Sequence, residues 1–198
     1  MSGSMFVISG PSGVGKSTVL KEVLKQRPDL RFSISATTRP IRPSEKDGVN
    51  YYFISREGFQ DLIDRDQLLE YTEYVGNYYG TPVDPLDDAM SRGEDVLLDI
   101  EVNGGMNARR LRPEAVLIFL AAPSFQELEY RLRNRGDTSP ELVERRLAQA
   151  RWEYSQAPKY DYIVVNDDVE CAAKEILSIL AAEKCRTKYR MNYLKEEL

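Results

Sequence analysis

Apolar runs of strand length, rich in Val and Ile, recur at "MFVIS", "VLLDI", "AVLIFLAA" and "YIVVN", and stretches of helical spacing lie between them. This alternation predicts an α/β fold, a parallel sheet covered by helices. Helix boundaries are also legible. Ser124 followed three residues on by Glu127 is a capping-box pattern, and "RGDTSPEL" closes one helix with Gly136 and opens the next with Ser139 and Pro140.

Between about Phe32 and Pro82 the texture changes to short strand-like pieces broken by Gly and Pro, and most of the tyrosines gather there. A smaller subdomain inserted into the α/β core is the expectation. No internal repeat, heptad run or low-complexity tract is present, and "CRTKYRMNYLKEEL" reads as a solvated helix end or tail.

The 198 residues are enough for one domain with small insertions, and the 42% apolar content supports a substantial core. A net charge of −5 disfavours nucleic acid and membrane surfaces as main partners, because both reward a basic face. The apolar runs are too short to span a bilayer, and "MSGSMFVIS" lacks the basic segment and apolar length of a signal peptide. Cys171 and Cys185 have no metal-type spacing, so a reducing cytoplasm fits. The chain contains no histidine, which excludes His-based triads and His-ligated metals.

The stretch "FVISGPSGVGKSTVL" carries the chemistry. Gly10, Gly15, Lys16 and Ser17 fit G-x-x-x-x-G-K-[ST] between a strand-like run and a helical one, the context this motif requires. The loop Gly10, Pro11, Ser12, Gly13, Val14, Gly15, with Lys16, Ser17 and Thr18 opening the helix, would cradle the phosphates of a nucleoside triphosphate on its backbone N–H groups. Lys16 would reach the β and γ phosphates and Ser17 would ligate Mg²⁺, with Asp99 at the end of "VLLD" as a Walker-B carboxylate acting directly or through water.

The acceptor has to be read elsewhere. In "SISATTRPIRPSEKDGVNYYF" Arg39 and Arg42 stand three apart with Tyr51 following, and "LLEYTEYVGNYYGTP" supplies Glu70, Tyr79 and Thr81. Paired guanidinium forks and phenol hydroxyls suit a monophosphate dianion. With "GPSGVGKST", "SATTRPIRP", "GVNYYF", "GNYYGTP", "LLDIE", "RLRNRG" and "VVNDD" in order, the chain resembles the guanylate kinase family over nearly its whole length.

That resemblance implies an ATP:GMP phosphotransferase with three working parts. These are a P-loop core at 1–34, 84–124 and 158–198, a GMP-binding α+β insertion at 35–83, and a helical lid at 125–157. It implies that Arg39, Arg42, Tyr51 and Tyr79 hold the GMP phosphate, that Glu70 reads guanine, and that Ser35 and Thr81 present hydroxyls to the base edge. Glu101 stands where the family usually has aspartate near the guanosine. Arg131, Arg135 and Arg146 correspond to lid arginines that close on the ATP phosphates, while Arg145 reads as solvated and Asn166 corresponds to a residue near adenine. GMP, and dGMP as a second candidate, are the implied acceptors; the sequence leaves the oligomeric state open. The rival readings are a protein-binding module on the same scaffold, which the intact Gly15, Lys16 and Ser17 oppose, and a P-loop kinase for another nucleotide or a sugar phosphate, which Glu70 opposes.

Overall fold

A computed structural model describes residues 3–43, 45–74, 76–134 and 139–191. Among them, backbone hydrogen bonds order five strands as β2-β7-β1-β8-β9 and four more as β4-β3-β6-β5. Here β1 is Met5–Ser9, β2 Arg31–Phe32, β3 Ala36–Thr37, β4 Tyr52–Phe53, β5 Leu68–Tyr74, β6 Asn77–Pro82, β7 Val96–Asp99, β8 Val116–Ala121 and β9 Tyr162–Val165. In the first sheet β2 runs parallel to β7 and β8 parallel to β9, with Ile118 opposite Tyr162 and Ala121 opposite Val165. The four strands anticipated from apolar runs are all present; β2, only two residues long, is too short for any periodicity to announce.

The chain divides into two compact units. One comprises Ile8–Pro28 and Leu117–Leu198. It contains α1 (Lys16–Gln26), α5 (Phe125–Arg133), α6 (Pro140–Gln156) and α7 (Val169–Glu183). Strand β8 is buried along its whole length, which explains its uninterrupted apolar sequence. The Phe119 ring lies edge-on to Tyr160 at 5.3 Å and tilted against Tyr154 at 5.6 Å. Helix α1 packs on α7, and α5 on α6. The expected caps form: Ser124 Oγ accepts from Glu127 N at 3.0 Å, and Ser139 Oγ from Leu142 N at 3.3 Å. The helix stop assigned to Gly136 lies outside the described residues.

The other unit comprises Ser2–Val7 and Asp29–Val116. It holds β2 to β7, α2 (Arg56–Asp64), α3 (Asp84–Ser91) and α4 (Val102–Leu111). Its second sheet is mixed: β3 pairs parallel with β4 and antiparallel with β6, and β5–β6 is a hairpin whose register shifts between Leu68 and Tyr71. Phe59 of α2, fully buried, packs with Ala36 and Leu68 and stacks on Tyr78 at 5.3 Å. Tyrosines concentrate here because a small sheet, packed by α2 on β6 and α4 on β5, leaves half-buried positions where an aromatic ring packs and its hydroxyl stays at the surface.

Candidate active site

Helix α1 begins directly after the glycine-rich loop. Its N-cap is Gly15, in the left-handed region at φ 90, with no side-chain cap and no acidic residue in the first turn. Helices α3 and α4 likewise lack a side-chain cap, whereas α2, α5, α6 and α7 are each capped by a Ser or Asp side chain. The positive end of α1 is thus built without an anionic cap of its own, as a helix terminus that receives a phosphate has to be. Gly15 is required twice over: an L side chain strains at this φ, and a Cβ would come within 2.5 Å of Asn166 Nδ2. Asn166, 4% exposed, donates from Nδ2 to the Val14 carbonyl at 2.7 Å. Lys16 is half-buried, and Ser12, Ser17 and Thr18 lie at the loop and first turn with partial or full exposure.

In the same unit Arg131 of α5 donates from Nε to Glu127 at 2.8 Å and from Nη1 to the Asn166 carbonyl at 3.1 Å. Arg146 is half-buried and Arg145 exposed. Arg135 lies outside the described residues. Glycine loop, Asn166 and Arg131 therefore form one connected group.

Of the residues expected to hold the acceptor, Ser35, Tyr51, Glu70, Tyr79 and Glu101 line a cavity of about 250 Å³ within the other unit together with Thr72, Gly80, Asp99 and Ile100, whereas Arg39, Arg42 and Thr81 are not among its lining residues. Glu70 projects from β5. Thr81, 1% exposed, donates its hydroxyl to Glu70 Oε1 at 2.7 Å, so this threonine orients the carboxylate. Burial pushes the Glu70 carboxyl above the usual carboxylate range; the Thr81 bond pulls the other way, and the Glu101 carboxylate adds to the rise. Gly104 of α4 makes room for it, since a Cβ there would lie 3.0 Å from Glu70 Cγ and 3.1 Å from Oε2. Glu101 is exposed and is the N-cap residue of α4.

Beside the carboxylate, Tyr51 and Tyr79 meet edge-to-face at 6.0 Å, and the Arg39 guanidinium lies 5.6 Å from the centroids of both Tyr51 and Phe53. Burial and the neighbouring Tyr79 raise the Tyr51 phenol, although Arg39 opposes this, so Tyr51 remains a proton donor at neutral pH. Arg39 pairs with Glu45 at 2.7 Å, with both side chains largely sheltered, and Glu45 Oε2 accepts from the Arg42 amide at 2.9 Å. Those bonds, the Arg39 pair first, hold the Glu45 carboxyl below its usual range. Arg42 itself is exposed.

Sequence reasoning missed Glu45, Thr72 and Gly104. Glu45 hides among the charges of "RPSEKDG" and Thr72 in the alternation of a strand; the glycine pair of "VNGGMN", inside a helical stretch, is a signal that could have pointed to Gly104. A larger groove of about 460 Å³ along α2, lined by Arg56, Glu57, Gln60, Asp61, Asp64 and Tyr78, is another concavity. Its basic group, Arg56, is paired with Glu73 at 3.2 Å.

A parallel sheet flanked by helices, with a Gly-x-x-x-x-Gly-Lys-Ser loop opening the first helix, makes this a P-loop α/β protein. The protein-family profile described as "Guanylate kinase" matches residues 2–183. The chain belongs to the guanylate kinase family. It is 54% identical over 187 residues to a guanylate kinase of Thermus thermophilus, covering 94% of this chain and 84% of that protein. It is 48% identical over 186 residues to one of Desulfitobacterium hafniense, covering 94% and 93%. The crystal structure of guanylate kinase from Anaplasma phagocytophilum superposes with a TM-score of 0.74 at 35% identity, over 94% of this chain and 88% of that one. A shikimate kinase from Bacteroides thetaiotaomicron, at 14% identity and a TM-score of 0.50 over 90% of this chain and 98% of that one, shares the fold alone.

Proposed function

We propose that this chain transfers the γ-phosphoryl group of ATP to GMP. The observation that carries the reading is the half-buried Glu70 carboxylate, oriented by Thr81, in the same cavity as Tyr51 and Tyr79, with Arg39 packed on the Tyr51 ring. Guanine offers two donors, N1–H and the 2-amino group, to such a carboxylate, whereas adenine offers neither at that edge. An unpaired carboxylate in this position rejects adenine by roughly 10⁴-fold.

In this reading Arg39 and Arg42 neutralise the GMP phosphate and Tyr51 and Tyr79 donate to its oxygens, while Ser35 and Glu101 face the guanosine. Amides of the glycine loop, that of Gly15 among them, and Lys16 hold the ATP phosphates. A GMP phosphate oxygen attacks the γ phosphorus in line; the bond from that phosphorus to the β–γ bridging oxygen breaks, and ADP leaves with the negative charge. The acceptor oxygen is already ionised at neutral pH, so no general base is needed, in keeping with a chain that lacks histidine. Lys16 and the lid arginines Arg131, Arg135 and Arg146 stabilise the charge that spreads during transfer. Arg131 gives Nε to Glu127 and one Nη1 hydrogen to the Asn166 carbonyl, and the guanidinium's other N–H groups are the ones that would turn to a phosphate oxygen.

Among the described residues no three Asp, Glu, Cys or His side chains form a metal cage. The Ser17 hydroxyl and the Asp99 carboxylate are hard oxygen donors, each of the type that Mg²⁺ arriving on the triphosphate takes. The ion would neutralise β- and γ-phosphate charge.

We also assign the three working parts as core, GMP-binding insertion 35–83 and lid 125–157, and place the protein in the cytoplasm, where both nucleotides are found. Among the described residues no helix is long and apolar enough to cross a membrane. ADP formation measured with ATP and each of GMP, dGMP, AMP, CMP and UMP tests the reading. Turnover confined to the guanine nucleotides is expected. Equal use of AMP or UMP would overturn the guanine assignment, and no turnover with any acceptor would favour a binding module.

A further inference from the structure

The residue that follows β9, Asn166, is fixed from three directions. Its backbone N–H donates to the Ala121 carbonyl at 2.8 Å, its carbonyl accepts from Arg131 Nη1 at 3.1 Å, and its side-chain Nδ2 donates to the Val14 carbonyl at 2.7 Å. Val14 is fully buried, and its own N–H donates to the Pro11 carbonyl at 3.2 Å. Both polar groups of Val14 are therefore tied, one by a turn within the loop and one by Asn166. A trans peptide points its C=O and N–H in opposite directions. Holding the Val14 carbonyl on Asn166 therefore aims the Gly15 N–H away from Asn166. The missing Cβ of Gly15 is what lets Asn166 come so close, since that atom would stand 2.5 Å from Nδ2.

We propose that Asn166 is a positioning residue for the phosphate loop. Through the Val14–Gly15 peptide it presents the Gly15 amide to the donor's phosphates, and through its carbonyl it gives Arg131 of α5 the same anchor. One Nδ2 hydrogen is given to Val14, and this bond to the loop, not a base contact through the second hydrogen or Oδ1, is the role assigned to it. This deepens the proposed function and rests on the reading of residues 10–18 as a phosphate cradle.

The test separates phosphate from base. Binding of ATP and of inorganic tripolyphosphate is measured by calorimetry on the full chain as wild type, Asn166→Ala and Asn166→Asp, with thermal melts alongside. The aspartate keeps the shape while losing the donor, and it carries the test should the alanine variant fail to fold. Loss of a buried acceptor's side-chain partner weakens binding by about tenfold or more. The expectation is the same factor for ATP and for tripolyphosphate in both variants, a raised KM for ATP, an unchanged KM for GMP, and an unchanged preference among ATP, GTP and CTP as donors. A variant that keeps wild-type affinity for tripolyphosphate while losing ATP would make Asn166 a base contact and overturn the proposal, as would unchanged binding of both. Lys16→Ala serves as the control for the underlying reading: if it leaves ATP and tripolyphosphate binding intact, the cradle assignment itself fails, an outcome distinct from failure at Asn166.

Discussion

Replacing Glu70 by glutamine keeps the side chain's size and removes its charge, so it isolates what the carboxylate does. In the cavity Oε1 already accepts from Thr81 at 2.7 Å, which leaves Oε2 and the remaining lone pairs for the two guanine donors. A glutamine has two ways to sit there. With its oxygen on Thr81, its NH₂ faces the guanine N–H groups and both bonds are lost. Turned over, its oxygen keeps one neutral bond and the Thr81 hydroxyl must rotate to accept. Either way at least one charge-assisted bond disappears and the others weaken, about 3–4 kcal/mol in total, or two to three orders of magnitude in kcat/KM for GMP. Steady-state kinetics with each nucleotide varied in turn is the assay, and the KM for ATP should stay near wild type. Melting gives a second readout of opposite sign. Because burial raises the Glu70 carboxyl, the ligand-free glutamine variant should melt higher than wild type at neutral pH, by about 1.4 kcal/mol for every tenfold by which folding favours the protonated acid. Equal losses toward ATP and GMP would show that Glu70 is not in the acceptor site, and a lower melting temperature would refute the desolvation argument.

Lys16→Ala should cut turnover roughly 10²–10³-fold with the fold intact, since it removes a charge that holds the β and γ phosphates both when bound and during transfer; retained turnover would remove Lys16 from the mechanism. Glu45→Gln should raise the KM for GMP and leave the KM for ATP alone, because Arg39 loses the carboxylate that holds it beside Tyr51; an unchanged KM for GMP would mean that Arg39 needs no such support. Gly104→Ala should likewise weaken GMP binding, as its Cβ would press on the Glu70 side chain at 3.0 Å, and calorimetric titration with GMP reads this directly. The pH dependence has two opposed signs. GMP binding needs ionised Glu70, so kcat/KM for GMP falls as pH drops through a pKa raised above the ordinary 4.5, while the stability of the ligand-free protein falls as pH rises through the same window, because the folded form holds the proton more tightly. The GMP phosphate titrates alike in wild type and Glu70→Gln, so the difference between their profiles isolates Glu70; coincident profiles would contradict the assignment.

Continuous apolar strands made the main sheet readable from sequence, because β8, buried along its length, has no polar face to break the run. The phosphate loop was readable because its glycines serve backbone geometry that any neighbouring sequence must accommodate. Other features take their meaning from contacts across the fold, which local sequence does not specify. The Thr81 hydroxyl directed at Glu70 pairs residues 11 apart, Asn166 reaches Val14 across 152 positions, and Gly104 is informative only because α4 packs on β5. The two-residue strands β3 and β4 carry no period; the hairpin β5–β6 and α2 define the small sheet's architecture.

A crystal structure with GMP bound tests the central claim most directly. The account predicts guanine N1 and N2 within hydrogen-bond distance of the Glu70 carboxylate and the phosphate on Arg39, Tyr51 and Tyr79. GMP bound with its base turned away from Glu70, or seated at the glycine loop instead, would contradict it.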